Sequence, residues 1–148
     1  MISYREMLVV VVSFIALTIA GHPFAYCSNY EGVKVSPVKR TTTTTDGRKI
    51  SYPRTESPEV TVVTAEIPPQ GETGWHMHPV PAYGYVLAGE LVVEFEDGKQ
   101  RRFKEGDAII EVVNAPHNGK NTGTVPVKLV VFYTGAEGQP NTTKVQHK

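Results

Sequence analysis

The chain reads as an all-β protein, an antiparallel sandwich or small jelly-roll barrel, and three observations carry that reading. Outside the first 27 residues no segment sustains a 3.6-residue apolar repeat. Seven short runs rich in β-branched and aromatic residues follow Pro58. Glycine, proline, asparagine and aspartate punctuate them at the spacing of strands folded back on one another.

The runs come in order as Glu59 to Ile67, Gly74 to His78, Ala82 to Ala88, Leu91 to Glu96, Lys99 to Lys104, Ala108 to Val113 and Val127 to Thr134. Asp97-Gly98 between the fourth and fifth predicts a hairpin, because glycine accepts the positive φ that such turns need. Within the fourth, Glu94 and Glu96 alternate with Val93 and Phe95 and read as a solvated face. Ser28 to Pro58 is polar, with five consecutive threonines at Thr41 to Thr45, and reads as a linker leading to an early strand near Gly47 to Tyr52. Residues 58–140 then form the barrel and 141–148 a polar tail.

The first 27 residues read as a targeting segment. Leu8 to Ala20 is an unbroken apolar run, too short to span a membrane comfortably, and Gly21 and Pro23 follow it. A signal peptide cleaved after Cys27, or alternatively after Ala20, makes the protein periplasmic or secreted, with no stable membrane insertion after cleavage. Cys27 is the single cysteine, so neither an internal disulfide nor a thiolate metal cluster is available. Lysine plus arginine equals aspartate plus glutamate at 15 each. That balance leaves no basic field for nucleic acid or an anionic membrane surface and points to a small-molecule ligand.

His76 and His78 stand at i and i+2 of a predicted strand, so alternation presents both imidazoles on one face. Trp75 between them and Gly74 falls on the other. Two neutral imidazoles so placed suit a divalent transition metal at about 2.0–2.2 Å, the range for nitrogen ligands. His117, in the turn-rich stretch NAPHNGKN, is the candidate third ligand, while His147 in the tail has no assigned role.

These stretches resemble the two motifs of the cupin superfamily. Gly71 to Gly89 is similar to the first, G(x)5HxH(x)3,4E(x)6G, with the first gap one residue short. Gly106 to Asn121 is similar to the second, G(x)5PxG(x)2H(x)3N, with Val112 and Asn114 in place of its proline and second glycine. The resemblance implies a double-stranded β-helix barrel, a divalent metal (Fe, Mn, Ni, Zn or Cu) held by His76, His78 and His117, and a homodimer. The first motif's glutamate has no counterpart, since the permitted positions hold Ala82 and Tyr83.

Three readings follow from that loss. The site is an open three-histidine centre for a dioxygenase, isomerase or decarboxylase acting on a small oxygenated compound; or Glu111 supplies the carboxylate; or the barrel is a non-catalytic module binding a sugar or carboxylate. Glu111 is a lone charge in AIIEVV, where an inward carboxylate needs a cation beside it and an outward one pairs with a surface base. Tyr83 and Tyr85 are candidate hydrogen-bond donors to substrate. Asn121, Asn114 and Asn118 are candidates to steady the His117 turn or its ring, whereas Arg101 and Arg102 lack the context of a substrate clamp.

Overall fold

The structure is a computed structural model that describes residues 31–146. The proposed signal peptide with its cleavage sites, Cys27 and His22, lies outside these residues, as does His147. Residues 31–35 fall in a separate unit and are exposed. A compact unit from Ser36 onward carries every strand.

Nine strands make up that unit: β1 (Pro58–Ile67), β2 (His76–Met77), β3 (Ala82–Ala88), β4 (Glu90–Phe95), β5 (Gln100–Lys104), β6 (Ala108–Ile110), β7 (His117–Lys120), β8 (Val127–Ala136) and β9 (Thr143–Lys144). They form a four-stranded sheet in the order β1-β8-β3-β6 and a five-stranded sheet in the order β5-β4-β7-β2-β9, with antiparallel pairing throughout. Among the described residues there is no helix, so none is long and apolar enough to cross a membrane.

Alternation fixes which side of each strand is inside. On β3, Ala82, Gly84 and Val86 are buried while Tyr83 and Tyr85 are half-buried on the other face. Val86, Leu91, Val93, Phe95, Phe103, Ile109, Val112, Val127 and Leu129 meet as one apolar core between the sheets. Asp97-Gly98 closes the predicted β4–β5 hairpin, with Gly98 at φ 78° and Phe95 N–H bonded to the Lys99 carbonyl at 2.9 Å.

Two motif positions have direct conformational causes. Gly89 has φ +80°, and a Cβ there would lie 2.7 Å from the Pro126 carbonyl oxygen, so only glycine fits. Asn114, which stands where the second motif has glycine, has φ 53° and donates its N–H to the His78 carbonyl at 2.8 Å. Asparagine tolerates that left-handed backbone better than other side chains do.

Three segments differ from their sequence reading. Gly47 to Tyr52 is not a strand; residues 42–50 form a tight turn bridged at Thr43 and Lys49. Thr45 donates both its N–H and its hydroxyl to the Ile110 carbonyl, each at 2.8 Å, so the threonine run covers the open edge of β6 instead of trailing as a linker. His117 lies on a strand, β7, and the tail contributes β9, which pairs with β2. Both strands are short and polar, and partner strands, not intrinsic propensity, hold them extended.

Candidate metal centre

The two histidine-bearing segments meet because β7 pairs with β2: His76 and His117 are direct register partners across the ladder. His78, two residues on from His76, bridges to Val113. The three rings stand 4.4 to 5.0 Å apart between centroids. One ring nitrogen from each lies within 4.8 Å of the other two, a grouping able to hold a metal ion. His78 and His117 are buried and His76 is half-buried.

Backbone carbonyls decide the tautomers. His76 Nδ1 contacts the Gly74 carbonyl at 2.7 Å, His78 Nδ1 the Asn141 carbonyl at 3.0 Å, and His117 Nδ1 the Ala115 carbonyl at 2.9 Å. A carbonyl oxygen can only accept, so each Nδ1 carries the proton and donates it. Each Nε2 is then left with a bare lone pair. His117 Nε2 is buried with no hydrogen-bond partner at all. This is the arrangement by which outer hydrogen bonds aim imidazoles at a metal.

Charge follows the same logic. Burial is the main cause that lowers all three histidine pKa values, to about 3 for His78, and the neighbouring rings add to the fall at His76 and His78. The rings are therefore neutral near pH 7, the protonation state a metal ligand needs.

Glu111 points into this space. Its Oε2 lies 3.7 Å from His117 Nε2, its side chain is only 13% exposed, and the same oxygen is buried without a hydrogen-bond partner. Burial pushes its carboxyl up to about 7. Its backbone N–H donates to the Ala82 carbonyl at 2.9 Å. The carboxylate thus comes from the residue just past β6, hydrogen-bonded through its backbone to Ala82, one of the two positions where the motif's glutamate is missing. Glu111 stands outside the 4.8 Å set, next to the histidine cluster and not within it.

The other candidates divide by strand face. Tyr83 and Tyr85 project from the outer side of β3, and Tyr83 lines a separate surface groove with Tyr52, Pro79 and Pro81. The tyrosine that lines the histidine cavity is Tyr133 of β8, whose ring meets His78 edge-on at 5.3 Å. Alternation from Leu129 or Val131 on the same strand predicts its inward face, a signal the sequence contains. Asn121 clamps a loop: its Nδ2 donates to the Ile67 and Val125 carbonyls at 3.0 and 2.8 Å, and its Oδ1 accepts from Gly123 N–H. Asn118 donates to Glu72 at 2.9 Å. Arg102 pairs with Glu90 on the surface and Arg101 lines an outer groove, so neither reaches the site.

The cavity itself is about 90 Å³ and is walled by Ala65, Ile67, Leu91, Val93, Leu129 and Val131. No lysine or arginine is among the residues lining it. It is well below the roughly 300–1,000 Å³ of pockets that take drug-sized molecules.

A family profile described as a cupin domain matches residues 63–133, which contain all three histidines and Glu111. No curated protein matches the chain. Solved structures do. A double-stranded β-helix protein of Klebsiella pneumoniae shares 23% identity over 64% of this chain and 89% of its own, with a TM-score of 0.51. The polyketide cyclase RemF of Streptomyces resistomycificus shares 22% over 60% and 62%, with a TM-score of 0.52. The DMSP lyase DddQ of Ruegeria pomeroyi shares 23% over 64% and 46%, with a TM-score of 0.50. The chain thus spans less than two thirds of the cyclase and about half of the lyase, and at these identities the likeness is one of fold.

Proposed function

This chain belongs to the cupin superfamily, and from that premise we propose that its barrel binds one divalent transition metal through the Nε2 atoms of His76, His78 and His117. The observation that carries the reading is the set of three Nδ1 atoms committed to carbonyls in a cluster whose ring nitrogens lie within 4.8 Å of one another, which leaves three Nε2 lone pairs, one of them on a buried nitrogen with no hydrogen-bond partner. Without a cation such a cluster carries a desolvation cost with no return. A bound divalent cation would supply the charge that polarises a carbonyl or hydroxyl oxygen of the substrate.

The chain's own residues favour proton-transfer chemistry, an isomerisation or a decarboxylation, on a small oxygenated compound. Glu111 holds a proton at a carboxyl raised to about 7, so near neutrality it is poised to take or give one. Tyr133 stays protonated, because burial raises its phenol further above its ordinary value, and offers an O–H to a substrate oxygen. The aliphatic walls exclude water and restrict the guest to a few heavy atoms. The same walls and the lack of lining hydroxyls beyond Thr73 and Tyr133 speak against a sugar-binding module.

Glu111→Gln separates the roles. Retained metal with turnover lost on a panel of small hydroxy and oxo acids supports the acid–base role. Loss of metal in the same variant makes Glu111 a fourth ligand, a reading its 3.7 Å approach to His117 favours. Full turnover in Glu111→Gln, or no turnover by the metal-loaded wild type on any substrate, would contradict the proposal.

A further inference from the structure

His78 is held differently from its two partners. The carbonyls that fix His76 and His117 belong to Gly74 and Ala115, each two residues upstream on the same stretch of chain. Those two imidazoles bring their own clamps with them. His78 Nδ1 instead depends on the Asn141 carbonyl at 3.0 Å and the Thr142 hydroxyl at 3.2 Å, more than 60 residues away in sequence.

The remote segment reaches it through slender attachments. β9 is two residues long, both exposed, and pairs with β2 through His76 with Lys144 and Met77 with Thr143. One more bond, Val145 N–H to the Trp75 carbonyl at 3.1 Å, completes the connection. Thr142 also hydrogen-bonds to Tyr133, whose ring lies against His78. One hydroxyl therefore touches both a ring of the histidine cluster and the tyrosine of the cavity wall.

We propose that residues 141–145 act as a positioning strap for the metal centre, with Asn141 and Thr142 fixing the tautomer and direction of His78 and joining it to Tyr133. The strap rests on the metal reading given above. Its physical content is separate: removing it leaves the barrel's core residues, which lie between Ile67 and Leu129, in place, unpairs one edge of β2, and takes the Nδ1 partners from one imidazole, His78. A short, exposed edge strand is also the kind of element that opens locally at low free-energy cost. Occupancy of the strap would then govern how well His78 is presented.

The test uses the chain shortened to end at Gln139, the Thr142→Val variant and a His78→Ala control. Two readouts apply: zinc affinity by competition with a chelating dye, and the ring tautomers of the metal-free protein by ¹⁵N NMR. Loss of an outer-shell partner typically weakens metal binding by about 10–100-fold. The shortened chain is expected to fall in that range and Thr142→Val to lose less. In the shortened chain His78 alone should become a mixture of tautomers while His76 and His117 keep theirs. Wild-type affinity with an unchanged His78 tautomer in the shortened chain or, if that chain does not fold, wild-type affinity in Thr142→Val would overturn the strap. If His78→Ala binds zinc as the wild type does, the metal reading fails instead, and the tautomer readout still decides whether the strap orients His78.

Discussion

Asn121 and Asn114 show how single polar residues set the shape of the site without entering it. Asn121 is 2% exposed and satisfies the Ile67 carbonyl at the end of β1 together with one carbonyl and one N–H of the loop between β7 and β8. Asn121→Ala leaves the Ile67 carbonyl buried without that partner, and the expected loss is about 1–3 kcal/mol in urea unfolding. Metal affinity should change little, because Asn121 bonds to none of the three histidines. Gly89→Ala is predicted to be harsher, since it combines a disfavoured φ with a 2.7 Å approach to backbone. A variant that unfolds at the wild-type urea midpoint would refute the close-approach account of that glycine. At this scale the sequence was informative wherever a residue type has few physical uses: paired histidines, a lone glutamate in an apolar run, a glycine after a strand.

Elements were legible in proportion to their apolar content. β1, β3, β4, β6 and β8 carry alternation or β-branched and apolar runs, and each forms where the pattern places it, while β5 follows from the Asp97-Gly98 hairpin. β7 reads HNGK and β9 reads TK, so nothing in their composition marks a strand. They exist because β4 and β2 offer unpaired edges, which is a property of the folded sheet. Tyr133 shares the inward face of β8 with Leu129 and Val131, so alternation marks it. Glu111 stayed undecided, since AIIEVV is apolar on both faces. Ile109 of β6 is 1% exposed in the core, and Ile109→Ala is expected to cost about 2–5 kcal/mol. A loss below 1 kcal/mol in the same unfolding assay would mean that the core is not packed as described.

Across the whole molecule, burial of titratable groups makes stability depend on pH. The three histidines have folded pKa values below the ordinary 6.5, so in the metal-free protein the unfolded chain binds their protons first as acid is added. Their neutral burial is without penalty above about 6.5, and stability falls as pH drops below it, a window extending to about 3 for His78. Glu111 works in the opposite direction: its folded value near 7 exceeds the ordinary 4.5, so its contribution is present at low pH and lost as pH rises through that interval. Thermal melts of metal-free Glu111→Gln, in which the opposing carboxyl is gone, should therefore show a lower midpoint at pH 5 than at pH 7. A midpoint that rises on acidification would contradict the neutral burial of the histidines. Saturating metal acts by mass action: a free concentration of about 100 Kd adds roughly 2.7 kcal/mol to stability.

The central claim is that the histidine cluster is a metal centre, and metal analysis tests it most directly. Protein purified without chelators would be compared with His76→Ala and His117→Ala, each checked for folding by circular dichroism and assayed for bound transition metals by mass spectrometry. The account predicts about one metal ion per wild-type chain and a loss of most of it in both variants. Equal metal content in all three proteins would contradict it.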